Sequence, residues 1–258
     1  CIWGSSFILM KRGMFSVEGD HVFSSAQVAS IRIFLASVVF LPFLPRLLRN
    51  LNQKRDLFFF AIVGLGGNLI PAYLFTYAEQ TLDSGIAGIM NSFTPIFTII
   101  VGVFFFQTKI NAQQILGTLI GFSGISWLIL LSSPVKSGLQ LTPAVAILLA
   151  TLLYGFSLNT IKHKLSQYSA VQVATGGFSM AFLPAFLGLF VFHTPYVFRH
   201  NSEALTSFGY IAILGLIGTA FAVILFNRII AQTTGERSDK PARAMRFSRR
   251  VRPPLPPQ

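Results

Sequence analysis

The sequence predicts an all-α integral membrane protein, a multi-helix bundle of two inverted repeats. Three observations lead there. The 258 residues are 53% hydrophobic and 11% charged, whereas soluble domains carry about 25% charged residues. A soluble chain this apolar would have too little polar surface to stay dispersed. The apolar residues fall in long blocks with few charges, as membrane-crossing helices require. Alternation of apolar and polar residues, which a membrane β-barrel needs, is missing. The third observation is that parts of the first half return at a fixed offset in the second.

Eight spans are expected, at about 1–14, 26–48, 57–77, 84–106, 113–131, 143–161, 170–192 and 207–230. Their links are short, as between neighbouring antiparallel helices. The first span would be about 21 Å long as a helix, against a hydrocarbon core of roughly 30 Å, so a few residues are expected upstream of Cys1. It lacks the small-residue cleavage site of a signal peptide. Lys/Arg placement gives the orientation. The links after spans two, four and six hold Arg46, Arg49, Lys54, Arg55, Lys109, Lys162 and Lys164, whereas the opposite links hold Lys11, Arg12, Lys136 and Arg199. The first set and the N-terminus are therefore expected on the cytoplasmic side.

The repeat is read from particular residues. Gly64, Leu65, Gly67, Leu74 and Phe75 match Gly215, Leu216, Gly218, Leu225 and Phe226 at an offset of 151. Trp3, Gly4 and Lys11 match Tyr154, Gly155 and Lys162 at the same offset. Gln27-Val28-Ala29 and Gln172-Val173-Ala174 open the next span in each half. Spans one, two and three thus correspond to six, seven and eight. Each pair is five helices apart, an odd number, so equivalent helices cross in opposite directions. Many secondary transporters use this arrangement, with a site near the midplane. The expected units are a first repeat over 1–131, a second, incomplete repeat over 143–234, and a basic Pro/Arg-rich disordered tail over 235–258.

The net charge of +12 is unevenly placed: the tail carries +5, from seven Lys/Arg against Glu236 and Asp239, and the other 234 residues carry +7. It reads as cytoplasmic loops plus the tail rather than as a nucleic-acid surface. Cys1 is the sole cysteine, so an intrachain disulfide and a cysteine metal site are excluded. The histidines at 21, 163, 193 and 200 share no metal-ligand spacing. There is no GK[ST] loop and no defensible catalytic set, so no enzyme activity, cofactor or metal is expected.

The polar residues inside the spans are the candidate transport surface. Ser84, Gly88, Asn91, Pro95, Thr98 and Gly102 share one stripe of span four. Gly64, Asn68, Ala72 and Thr76, with Tyr73 and Tyr77 beside them, do the same in span three, and Thr151, Gly155, Asn159 and Lys162 in span six. Such residues either pack helices tightly or line a polar cavity. Gly117, Gly121 and Gly124 read as packing. Pro95, beside Asn91 and Ser92, is the best candidate for a bent midpoint. Arg32 either snorkels to the interface or contacts an anion, and Lys11 either sits at the interface or reaches a substrate carboxylate. Glu79 is a candidate proton-coupling carboxylate, expected to be solvated near the membrane edge.

These residues resemble a known family. Trp3-Gly4-Ser5-Ser6-Phe7, Arg32 early in span two, the stretch Gly-Ile-Ala-Gly-Ile-Met-Asn-Ser-Phe-Thr-Pro at 85–95, and Gly117-x-x-x-Gly121-x-x-Gly124 are similar to the EamA family of the drug/metabolite transporter superfamily over about residues 1–234. The resemblance implies ten helices in two inverted repeats of five, with a central cavity open to one side at a time. It also implies transport of small metabolites such as amino acids. Two features depart from the family pattern. Thr108 and Lys109 stand where an acidic-basic pair is frequent, and a basic Pro/Arg-rich stretch stands where the last two helices would be.

The expected function is secondary transport by alternating access in the cytoplasmic (inner) membrane of a prokaryote. The expected partners are the lipid bilayer, a small-molecule substrate and a coupling ion, proton or sodium. The cavity would be lined by Trp3, Lys11, Arg32, Asn68, Tyr73, Tyr77, Asn91, Ser92, Pro95, Tyr154 and Asn159. The alternative is a non-transporting membrane protein, either a truncated remnant or a helical partner subunit.

Overall fold

The computed structural model describes residues 2–16, 18–109, 111–132, 141–226 and 228–229. The tail over 235–258 lies outside them. Among the described residues the chain is helical in every predicted span and forms no β-strand. The helices are α1 (Ile2–Met14), α2 (Ser25–Arg49), α3 (Asp56–Glu79), α4 (Ser84–Phe106), α5 (Ala112–Ser132), α6 (Leu141–Lys164), α7 (Ala170–Val191), the short α8 (Thr194–His200) and α9 (Ala204–Phe226). Six of them, α2, α3, α4, α6, α7 and α9, are long and apolar enough to cross a membrane.

Two helices start at matching signals. Ser24 caps α2, accepting a hydrogen bond from the Gln27 backbone N–H while the Gln27 side chain accepts from Ser24 N–H. Ser169 and Gln172 repeat this reciprocal pair at the start of α7. Such a box satisfies two of the donors that every helix leaves open at its first turn. The shared glutamine that opens both spans in the sequence therefore has a capping role.

α2 and α7 form the centre. Ala29, Ile33, Ala36 and Phe40 of α2 are buried against Ala174, Phe178, Ala181 and Ala185 of α7. Both sets recur at three- and four-residue spacing, so each lies on one helix face. The small residues let the backbones come close, and the Phe40 and Phe178 rings stack 5.0 Å apart at 8°.

α3 and α9 cross this centre with a feature that the sequence pattern did not announce. Each contains a π-wound stretch, Ile62–Leu69 in α3 and Leu214–Phe221 in α9. In both, a side chain bonds the carbonyl five residues earlier. Asn68 Nδ2 donates to Val63 O at 2.9 Å, and Thr219 Oγ1 donates to Leu214 O at 3.0 Å. Four glycines of these stretches make close approaches to neighbouring helices. A Cβ at Gly64 would collide with the Gly177 carbonyl of α7, and one at Gly67 with the Ser157 hydroxyl of α6. A Cβ at Gly215 would lie 3.0 Å from the Arg32 carbonyl oxygen of α2, and one at Gly218 would lie 3.1 Å from Ser6 Oγ of α1. Ser6 and Ser157 are themselves 151 residues apart, as are Gly67 and Gly218.

Away from the centre, α4 packs on α6. Gly155 brings the two backbones together, since a Cβ there would meet the Phe97 carbonyl at 3.0 Å. The link into α3 is tied to the link after α6. Tyr168 Oη donates to Asp56 Oδ2 at 2.7 Å and accepts from Asn52 N–H at 3.0 Å. Burial, with the Asp56 carboxylate beside it, pushes the Tyr168 phenol up from its ordinary value. The Gly117, Gly121 and Gly124 face differs from expectation. A Cβ at any of the three meets nothing within 4 Å, so among the described residues these glycines pack against nothing.

Gly64→Ala is expected to lower stability by about 1–3 kcal/mol, because the colliding atom is rigid backbone. Gly66→Ala, where a Cβ meets nothing, is expected to be neutral or slightly stabilising. Thermal unfolding of the two variants in one detergent checks the contrast. Tyr168→Phe removes the donor from the buried Asp56 and is expected to cost about 1–3 kcal/mol in the same assay.

Candidate functional site

The half-buried Arg32 is where the polar residues of different helices converge. It lies eight residues after the Ser24 cap, on the face of α2 that meets α9. Arg32 Nε donates to Thr219 Oγ1 at 2.8 Å, and an Arg32 terminal nitrogen approaches Met10 Sδ of α1 at 3.5 Å. Thr219 is the residue that bridges the π stretch of α9, so the cation docks on an irregular backbone. Tyr154 of α6 and Glu79 of α3 lie within the field of Arg32. One side of the cluster is aromatic: Tyr154 stacks on Phe75 at 5.9 Å, and Phe75 meets Phe7 of α1 at 6.1 Å.

Glu79 is the residue that sequence reasoning placed least well. It was expected to be solvated at the end of its span, but it is fully buried, and among the described residues neither carboxylate oxygen has a hydrogen-bond partner. Arg32 and Lys11 are the cations whose fields reach it. Lys11 itself faces Asp83 across 3.7 Å, with their side chains 42% and 77% exposed. That pair marks the edge of the cluster next to solvent.

The other predicted lining residues divide into groups. Tyr73 shares a 2.6 Å hydrogen bond with Ser30 Oγ of α2, and the pair nests against Gly188 of α7. Asn68 is half-buried and spends a donor on its own π stretch. Asn159 is buried, and its amide donates to Thr98 O of α4 and Gly155 O, both at 2.9 Å, joining α6 to α4. Tyr77 is 44% exposed. α4 is interrupted between Asn91 and Thr94, with Pro95 in the first turn of its second segment. There Thr94 Oγ1 donates to Asn91 Oδ1 at 3.2 Å, and Ser92 Oγ donates to Gly88 O at 3.3 Å. The bend therefore falls where the proline predicts it. The Trp3 side chain lies outside what the structure describes.

The site thus gathers Arg32, Glu79, Tyr154, Lys11 and Thr219 from α1, α2, α3, α6 and α9. Asn159 and the Asn91–Pro95 segment lie instead on the α4 side of the bundle. At the opposite end of α3, Phe59, Phe105, Phe156, His163 and Lys164 line an open groove of about 550 Å³. It shares no residue with the Arg32 cluster. Among the described residues no group of three or more His, Cys, Asp or Glu is placed to hold a metal ion.

Comparison with known proteins adds three findings. The profile of the EamA-like transporter family matches residues 1–130. A relative from Archaeoglobus fulgidus, described as an uncharacterized transporter, is 23% identical over 223 residues, covering 86% of this chain and 74% of the relative. A solved crystal structure shares the fold with a TM-score of 0.62 at 14% identity, covering 89% of this chain and 75% of the other.

Asn159→Leu removes the side-chain bond from α6 to Thr98 O and places a branched side chain in the α4–α6 contact. It is expected to cost about 1–3 kcal/mol of stability, whereas Tyr77→Phe is expected to change it by less than about 0.5 kcal/mol. Thermal melts of both variants in detergent check this.

Proposed function

The chain belongs to the EamA-like transporter family, and from that premise we propose that it moves small metabolites such as amino acids by alternating access. It is an integral membrane transporter, whose surroundings are lipid and whose cargo is a small molecule. The inner membrane of a prokaryote, with the N-terminus in the cytoplasm, is the proposed setting. The observation that carries the mechanism is the pairing of two equivalent crossings around one unequal charge. Gly64 and Gly67 of α3 seat on α7 and α6, and Gly215 and Gly218 of α9 seat on α2 and α1. Each half therefore grips the first two helices of the other, which supports reading 1–131 and 143–234 as two repeats.

Such a frame allows two related arrangements of nearly equal energy, as rocking of one repeat on the other requires. The substrate contact is unequal. Where α2 presents Arg32 to Thr219, the matching contact of α7 presents Gly177 to Asn68, 3.6 Å from where its Cβ would stand. Arg32 supplies the hydrogen-bond donors and positive charge for an anionic group of the cargo. Tyr154 and Phe75 supply an aromatic surface for its remainder.

A second reading, a helical partner subunit that does not transport, is favoured by one observation: the open Gly117–Gly121–Gly124 face of α5. Counterflow separates the two readings. Liposomes containing the full chain are loaded with a mixture of protein amino acids and supplied with trace radiolabelled ones. Label accumulation is expected, falling about tenfold or more in Arg32→Ala, since a lost bond to a charged group is worth about 1.5–3 kcal/mol. Wild-type accumulation in Arg32→Ala would remove Arg32 from the site. The subunit reading predicts no accumulation by the wild type.

A further inference from the structure

We propose that Glu79 is a proton-binding site: it holds a proton while the bundle is packed as seen here and gives it up when water enters the cluster. The chemistry is a simple transfer from the carboxyl O–H to water, leaving a carboxylate that the neighbouring cations stabilise. The link between this proton and cargo movement rests on the transport reading above. The occupancy of Glu79 does not.

Position is the first ground. Glu79 is the last residue of α3, inside a span, and it is completely buried. Beside it Phe75 and Ala78 pack against Ala87 of α4 and against Ile147 and Ala150 of α6. Ionised side chains in such surroundings are costly and mark ion or proton paths.

Satisfaction is the second ground. A buried carboxylate is tolerated when donors surround it, and among the described residues neither Glu79 oxygen has one. Each of the two cations whose fields reach it is already engaged. Arg32 donates through Nε to Thr219, and Lys11 pairs with Asp83. The groups facing the cluster are Lys11 from α1, Arg32 from α2, Asp83 just before α4, Tyr154 from α6 and Thr219 from α9. An ionised Glu79 without a direct partner would cost several kcal/mol, so the group takes up a proton instead.

The release route is the third ground. Lys11 and Asp83 are partly solvated and separated by 3.7 Å, a pair that contributes little stability. Parting them brings Lys11 and water toward Glu79 at small cost. Ionisation of Glu79 and opening of that edge then favour one another.

Infrared spectroscopy of the full chain reconstituted in lipid tests the site directly. At neutral pH the wild type is expected to show a protonated-carboxyl C=O band that shifts in D2O. The band should vanish in Glu79→Gln and persist in Asp56→Asn, which alters the other buried acid. Absence of the band in the wild type, or its survival in Glu79→Gln, overturns the proposal. Lys11→Met gives an arm independent of how Glu79→Gln folds. Loss of a nearby cation disfavours the carboxylate, so the band should persist to higher pH; an unchanged or lower midpoint overturns the proposal.

Coupling is read with a pH dye inside liposomes during entry of the amino-acid mixture. Wild-type entry should move protons, and the number moved per unit of label entered should fall in Glu79→Gln. Equal proton movement in both, or entry driven by sodium alone, overturns the coupling. A band at Glu79 without any counterflow leaves the proton site standing and sinks the transport reading.

Discussion

Four close approaches of glycine hold this bundle together: Gly64 on Gly177, Gly67 on Ser157, Gly215 on Arg32 and Gly218 on Ser6. At Gly64 and Gly67 a Cβ would collide outright with backbone or a short side chain of another helix, and at Gly215 and Gly218 it would fit only if its neighbour gave way. Between helices in lipid there is little hydrophobic gain from burying one more apolar side chain, so van der Waals contact and hydrogen bonds carry association. The π winding of both stretches adjusts the crossing. It inserts a wider turn and frees carbonyls, which Asn68 and Thr219 then cover. Irregular backbone at this depth is tolerable only where protein satisfies it.

The same four contacts give the molecule its frame and leave the chemistry to break the symmetry. Thr219 serves its own helix and also receives Arg32. Its counterpart Asn68 serves α3 and stands opposite Gly177 of α7. A cation is therefore present on one side of an otherwise matched pair of crossings. Glu79, Tyr154 and Lys11 collect around that cation from three further helices.

The bundle was legible because hydropathy blocks and charge-poor lengths report membrane spans almost directly, and among the described residues each of the eight expected spans is helical. The residues from which the repeat was read, Gly64/Gly215 and Gly67/Gly218, fall at close helix crossings, where little room is left for a side chain. The π stretches were not, since their residues have the same apolar composition as any α-helix in lipid. Glu79 looked solvated because its place at the end of a span is a local fact, whereas its burial is created by α1, α4 and α6. For Asn159 the sequence left two roles open, because a polar side chain on an apolar helix serves packing and cargo alike; the structure adds its bond to Thr98 O across to α4. Pro95 was readable, because a missing N–H disturbs a helix whatever surrounds it.

The two capping boxes act as rulers. Ser24 stands eight residues before Arg32, and Ser169 stands eight before Gly177, the two points where α9 and α3 press on their partners. At 1.5 Å per residue each cap sets its crossing point about 12 Å along the helix, and it sets the angular position too. One inserted residue between cap and crossing would turn the contact face by about 100°. Arg32 would then swing away from Thr219, although its side chain and its neighbours in sequence were untouched. The depth and aim of the half-buried cation are thus decided at the start of its helix, by a serine and a glutamine that are no part of its site.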